Sequence, residues 1–389
     1  MRCLVVSALA ALLALATPAS AEDVVKVGII GPYSGLFASF GENFRRGVEL
    51  YQKVNGDIAG GRKVEFLYRD LPSVEPTKAK NLAQDLIVKD DVEYLGGLFF
   101  TPNALAVLPL LQQGKVPLVV FNAATSVLTK QNPLVVRTSY TMWQNVVPAA
   151  KLARQRKIDR MVTVVSDYAA GLDAEKAFKT TFEENGGTIL ETIRIPLGTT
   201  NFAPAIQRIK DANPQGVFVF VNGGAPAVGF VKAFDENGLK GAGIKFITTG
   251  DVTVETDLPA MGASALGIES TYSYAVSHKS PENEKFVAAY KAMFGSADAL
   301  NMAAVAAYDG ARIIYKMIEA TGGKREPAQA VEAVKGFAWE SPRGPVKIDP
   351  VTRHIDQNIY IRTVEIQNGM PVNTETGVFP AQPDLGFDR

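Results

Sequence analysis

Cysteine is the scarcest residue of this chain: Cys3 is the only one in 389 residues. It lies at the start of an apolar N-terminal run, not at its end, so it is not placed for lipid attachment at a processing site. Without that run the chain has no thiol, which excludes disulfides and cysteine-ligated metals and leaves core burial to stabilise the fold. Histidine is nearly as rare. His278 and His354 stand far apart in polar, turn-like sequence. Both are expected at the surface, and they leave little to bind a transition metal. An excess of either charge is missing too, with 40 basic against 40 acidic residues. That balance gives no electrostatic footprint for nucleic acid or an anionic membrane. There is no Gly-x-x-x-x-Gly-Lys-Ser/Thr, and no Gly-x-Gly-x-x-Gly joins a strand to a helix; Gly223-Gly224 lacks the spacing. Gly31-Pro32-Tyr33-Ser34-Gly35 holds its serine one place too late for a nucleophile elbow. Carboxylates are plentiful but none are paired by spacing, so an acid pair assembled by folding is the catalytic arrangement left open. No metal and no cofactor is expected.

What is present begins with a leader. Arg2 supplies a positive start, Cys3 to Ala16 is almost unbroken Leu, Val and Ala, and Pro18 precedes Ala19-Ser20-Ala21. This is the pattern of a signal peptide cleaved near Ala21. A retained anchor is the alternative, but the run is short for a membrane span. The expected product is an exported, soluble periplasmic protein.

The remainder alternates strand-like and helix-like stretches. Val24 to Ile30 reads as a buried strand, Gly31 to Phe37 as an open loop and Phe44 to Asn55 as a helix. Lys63 to Arg69 is strand-like. From Pro76, residues Ala79, Leu82, Ala83, Leu86 and Ile87 form one apolar stripe at helical spacing. Val92–Leu95, Asn103–Gln113 and Val116–Phe121 continue the alternation, which predicts a parallel sheet with helices on both faces. The rhythm restarts at Met161 and runs through the apolar strand Val217–Val221 to Thr248. Two later helices, Glu282–Phe294 and Met302–Ala320, and a strand pair near Gly344–Ile366 need somewhere to pack. The economical solution has the chain cross between two lobes at Val135–Thr141, Glu269–Tyr274 and the Ser341–Gly344 region. Two sequential domains with a C-terminal appendage is the other.

In open α/β sheets, ligands bind beyond the carboxyl ends of the strands. Those ends carry Phe99, Phe100 and Thr101, then Phe121, Ala123 and Thr125, then Tyr168, Asn222, Gly223 and Asp251. Thr101 before Pro102 suggests a helix N-cap whose free amides favour a carboxylate. Ala123-Ala124-Thr125 sets a small-residue backbone beside a hydroxyl donor. A cap and a turn are the plainer readings of the two threonines. Asp251 could receive an ammonium group, or be a solvated loop acid. Phe99, Phe100, Phe121 and Tyr168 are each plausible core residues, but four aromatic residues at strand ends point to a pocket.

At this point the chain resembles the periplasmic solute-binding proteins of branched-chain amino acid ABC transporters, the leucine/isoleucine/valine type. The marks are Val27-Gly28-Ile29-Ile30-Gly31-Pro32 with Ser34-Gly35, Gly60-Gly61-Arg62-Lys63, Arg69-Asp70, Ala123-Ala124-Thr125-Ser126, Arg137-Thr138, Tyr168 with Gly171, Gly238-Leu239-Lys240 and Tyr308-Asp309. Their order spans nearly the whole chain after the leader. The resemblance implies an α/β fold of two Rossmann-like lobes with parallel sheets and a three-segment hinge. The lobes are expected over 22–141 with 272–344, and over 142–271 with 345–389, after a leader of 1–21. It implies a non-catalytic subunit that closes on a small solute and delivers it to an ABC permease in the cytoplasmic membrane. A sensory subunit on the same fold, or a periplasmic enzyme, are the alternatives. It also implies carboxylate contacts at Phe100-Thr101 and Ala123-Thr125, a second-lobe contact at Tyr168, and Asp251 as the partner of an amino group. The chain departs from the family pattern in two places. Phe99 and Phe100 replace small hydroxyl residues, and Asn222-Gly223-Gly224 lacks the usual aromatic residue. Bulk moved from one lobe to the other makes an aromatic or other hydrophobic carboxylate an alternative to an aliphatic amino acid. Tyr33 and Phe37 are further candidates for the cleft wall.

Overall fold

The computed structural model describes residues 24–388; the leader and Cys3 lie outside them. The first sheet contains β1 (Val24–Gly31), β2 (Ile58–Ala59), β3 (Arg62–Asp70), β4 (Tyr94–Gly97), β5 (Leu118–Val120) and β6 (Val135–Arg137). Its order is β2-β3-β1-β4-β5-β6. All neighbours are parallel except the short β2–β3 pair. Helices α1 (Ala38–Asn55), α2 (Pro76–Val88), α3 (Thr101–Gly114) and α4 (Val127–Gln131) connect these strands. The second sheet takes β7 (Arg160–Ser166), β8 (Thr188–Ile195), β9 (Gly216–Phe220), β10 (Lys245–Thr249) and β11 (Glu269–Tyr272), with α5 (Met142–Gln155), α6 (Ala169–Glu184), α7 (Ala203–Ala212), α8 (Ala225–Glu236) and α9 (Leu258–Met261).

The parallel parts of the two sheets share one order. In the first it is β3-β1-β4-β5-β6, in the second β8-β7-β9-β10-β11. Counted within each lobe, both read 2-1-3-4-5. The order reverses beside β1 and β4 in one lobe and beside β7 and β9 in the other. A doubly wound sheet opens a crevice at that switch point, because successive crossovers leave it on opposite faces. The topology therefore places a crevice at the loops after β1, β4, β7 and β9.

The late elements pack as the economical solution requires. Helices α10 (Pro281–Phe294) and α11 (Met302–Ala320) return to the first lobe, where α11 lies along α1, and α12 (Pro327–Glu332) follows. Then β12 (Ala338–Ser341), β13 (Gly344–Ile348), β14 (Ile355–Gln367) and β15 (Met370–Gln382) extend the second sheet, with β14 antiparallel to β11. The stretch Ser341–Gly344, read from sequence as a crossing, is the turn of the antiparallel β12–β13 hairpin. The chain has crossed before residue 336, because Gly336 and Phe337 already hydrogen-bond to Ile348 of β13. Arg343 in that turn still anchors the hinge. Fully buried, it pairs with Asp309 of α11 at 2.6 Å and donates to the carbonyls of Thr138 and Ser139 in the first crossing. Removing one member of such a buried pair strands the other charge, at about 3–5 kcal/mol.

A C-terminal strap completes the junction. Asp384 accepts from Ser126 Oγ at 2.8 Å and Thr141 Oγ1 at 2.9 Å, and lies 3.0 Å from His354 Nε2. The His354 ring first, then Ser126 Oγ and the Gly386 amide, hold its carboxyl down at about 2 against the cost of burial. Arg137 Nη1 is 3.0 Å from His354 Nδ1. A guanidinium only donates, so Nδ1 accepts and the imidazole is the neutral Nε2–H form. The surface expectation for the histidines fails here. His354 is fully buried, and the side chain of His278 is mostly covered, 2.9 Å from Glu375. The polar local sequence conceals this because Arg137 and Thr129, which face His354, are 217 and 225 residues away.

Candidate functional site

Four of the crevice loops bring aromatic side chains together. Phe37 follows β1, and its ring centroid is 5.5 Å from Phe99 and 5.1 Å from Phe100, both after β4. Phe40, in the first turn of α1, is 4.8 Å from Phe99. Phe99 and Phe100 meet edge to face at 4.7 Å. The series then crosses to the second lobe. Tyr168, after β7, lies 6.4 Å from Phe100 and stacks at 6.2 Å on Phe220, the last residue of β9. Edge-to-face pairs of this kind satisfy the ring quadrupoles while leaving π-faces free for a third ring. Tyr168 remains half-buried, whereas Phe99 and Phe100 are almost wholly covered.

Polar groups stand around this aromatic wall. Thr101 is not the N-cap: Phe100 takes that position with extended backbone, and Thr101 lies inside the first turn of α3. Its hydroxyl is buried without a partner. That donor, together with the unpaired amides of a helix start, favours an anion. Asn222 donates to the Tyr168 hydroxyl at 3.0 Å, and its own carbonyl oxygen has no partner. The Tyr168 oxygen thus accepts, and its proton is free to donate to a solute; burial raises its pKa, so that proton stays in place.

Asp251 follows β10, with its carbonyl beside Gly223. One carboxylate oxygen accepts a short hydrogen bond from the Tyr140 hydroxyl in the first crossing, and the other accepts from Thr249 Oγ1 at 2.9 Å. Burial pushes its carboxyl up, and the two hydroxyls only partly offset this. The residue as a whole is half-buried. A solute carboxylate is repelled here, while a hydroxyl or ammonium donor is welcomed.

The remaining candidates are placed differently. The Thr125 hydroxyl donates at 2.7 Å to Asp173 of α6, across the lobes, and the Ser126 amide donates to the same oxygen at 3.2 Å. Thr125 thus ties the lobes together. The Ala123 amide bonds to the Leu98 carbonyl and sets the β5 loop against the β4 loop. Phe121 is core, edge-on to Phe44 at 5.5 Å and closely covering Gly310. Tyr33 turns away from the cleft to pack on Tyr68 and Arg45. Gly223 is a point of close approach: a Cβ there would stand 2.9 Å from Phe40 Cζ and 2.9 Å from the Asp251 carbonyl. The absent aromatic side chain at that position is what admits Phe40 from the other lobe. Sequence reasoning missed Phe40, Tyr140, Asp173, Phe220 and Thr249. Phe220 read as core strand and Tyr140 as linker, and nothing local marks Asp173.

Residues 24–370 match the family model described as periplasmic binding protein. A relative in Brucella melitensis biotype 1, named Leu/Ile/Val-binding protein homolog 6, is 51% identical over 378 residues, 97% of each chain. Among solved structures, an R. palustris ABC-transporter solute-binding protein in complex with 4-hydroxybenzoate is 55% identical. It superposes with a TM-score of 0.92 over 94% of this chain and 99% of its own. A Rhodopseudomonas palustris BisB5 solute-binding protein in complex with 3,4-dihydroxybenzoic acid is 43% identical, with a TM-score of 0.89 over 94% and 99%.

Proposed function

The chain belongs to the periplasmic binding protein family, and from that premise we propose that this ABC-importer solute-binding subunit takes a hydroxylated aromatic carboxylate. The observation that carries the reading is the aromatic wall built from both lobes, Phe37, Phe40, Phe99 and Phe100 facing Tyr168 and Phe220. A planar ring fits between such walls, and the anion takes the Thr101 hydroxyl and the start of α3. A ring hydroxyl at the far end donates to Asp251. The ligands of the two R. palustris relatives support this, since each has a carboxylate and a hydroxyl at opposite sides of one ring.

The lobes that close are residues 24–141 with 273–335, and 142–272 with 336–388. The protein works in the periplasm after cleavage near Ala21, hands its solute to a membrane permease and carries out no reaction on it. The name of the Brucella relative favours leucine, isoleucine or valine as a second reading. A thermal-shift series on the purified mature chain separates them. A solute at a hundred times its Kd stabilises by about 2.7 kcal/mol. 4-Hydroxybenzoate and 3,4-dihydroxybenzoate should raise the melting temperature and leucine should not. A larger shift with leucine overturns the aromatic reading, and turnover of any bound acid overturns the non-catalytic one.

A further inference from the structure

The amino ends of the second sheet, opposite the cleft, gather positive charge that the neutral balance of the whole chain conceals. Strands β7, β9 and β10 are adjacent and parallel, and their register pairs Met161 with Gly216 and Gly216 with Lys245. Arg160, Gln215 and Lys245 therefore stand at the starts of three neighbouring strands, each about 4.8 Å from the next. The turn after α5 adds Arg156 and Lys157. These five residues line one open cavity of about 430 Å³, within the size range of small-molecule sites.

No acid lines this cavity. Asp159, next to Arg160, is held by Arg154, and Glu269 at the start of β11 is held by Arg156 at 2.6 Å. Lys157, Arg160 and Lys245 are exposed and have no ion-pair partner among the described residues. Gln215 is fixed by its side-chain oxygen, which accepts from the Asp159 amide at 2.8 Å and the Arg160 amide at 2.9 Å. Its N–H₂ group is left to donate to whatever enters the cavity. Cations at the end of a helix answer its dipole. That accounts for Arg156 and Lys157 after α5, but not for Arg160 and Lys245, which begin strands. Three unpaired like charges around one cavity attract a multivalent anion. A guanidinium matches two phosphate oxygens at once, and an ammonium adds a point charge.

We propose that this cavity is an anion site for a phosphate or diphosphate group. Arg160, Lys157 and Lys245 hold the charge, and the Gln215 N–H₂ supplies a neutral donor. The site lies at the opposite end of the sheet from the cleft, so a phosphate-bearing molecule is held there without blocking solute entry.

The test is calorimetric titration of the mature protein with pyrophosphate at fixed ionic strength, beside sedimentation with vesicles of phosphatidylglycerol or phosphatidylcholine. Saturable one-site binding of pyrophosphate without vesicle binding identifies a soluble phosphate compound. Sedimentation with phosphatidylglycerol but not phosphatidylcholine identifies a lipid headgroup. In either case Arg160→Gln and Lys245→Gln should each weaken binding by about tenfold or more. Lys80→Gln removes the same charge from an exposed position on α2 in the first lobe, and should leave binding unchanged. All three variants alter exposed side chains and should keep the wild-type melting temperature. Absence of saturable binding in both arms overturns the proposal. So does equal weakening by Lys80→Gln, which reduces the effect to net charge. None of these outcomes depends on the identity of the cleft solute.

Discussion

Replacing Asp251 by asparagine separates two roles of its carboxylate. It holds the Tyr140 hydroxyl on one oxygen and Thr249 Oγ1 on the other, and in the proposed complex it also accepts from the solute's ring hydroxyl. Asp251→Asn turns one of those oxygens into an N–H₂ donor and removes the charge. The disturbance at Tyr140 acts on the hinge and should weaken every solute by a common factor. The lost bond to the ring hydroxyl acts on hydroxylated solutes alone. A hydrogen bond to a charged group contributes about 1.5–3 kcal/mol net, and about 1.4 kcal/mol is a factor of ten. The affinity ratio of 4-hydroxybenzoate to benzoate should therefore fall by about tenfold to a hundredfold. Isothermal titration of both acids against wild type and variant gives that ratio directly. If both acids lose affinity by the same factor, Asp251 does not read the hydroxyl. If leucine binds wild type and loses most in the variant, the acid serves an ammonium instead.

Gly223→Ala should keep the lobes apart, since its Cβ meets Phe40 and the Asp251 carbonyl. Small-angle scattering should show the solute-saturated variant as extended as the solute-free wild type, and a normal contraction would refute the contact. Thr125→Val removes the bond to Asp173 and should lower the affinity of all solutes by a shared factor, worth about 1–3 kcal/mol of the closed form; a changed rank order in titration would make Thr125 a solute contact. Acid should destabilise the fold through His354. Burial, with Arg137 adding to it, lowers its folded pKa below the ordinary value. The unfolded chain thus binds the extra proton below about pH 6.5. Stability is unaffected by this group above that pH and falls as pH drops below it. His354→Gln should flatten the dependence of the melting temperature between pH 7 and 5, and an unchanged slope would remove His354 as its source.

The sheets and most helices were legible because their signals are local. The apolar run Val217–Val221 and the stripe from Ala79 to Ile87 depend on period alone, and they form β9 and α2. The strand-end rule likewise put Phe99, Phe100, Tyr168, Asn222 and Asp251 in one region. What sequence left hidden depends on partners distant in the chain. Tyr140 matters because Asp251 is 111 residues on. Phe121 sits at a strand end like Phe100, and only the approach of Gly310 on α11 makes it core. Thr101 was misplaced by a single residue: α3 begins at Thr101 itself, so the capping position falls on Phe100 and the threonine hydroxyl is left unengaged.

The strap at Asp384 fixes an order of events in folding. Ser126 Oγ, Thr141 Oγ1 and His354 come from three separate parts of the chain, and Ser126 is 258 residues from its acceptor. None of them can reach that partner until the chain has been made as far as Asp384. Contacts this remote in sequence are slow to form, because loop closure must precede them. A chain cut short before Asp384 retains both sheets, yet leaves several hydroxyl and imidazole groups buried at the lobe junction with their carboxylate missing. The junction thereby depends on a residue that lies beyond the last strand, β15.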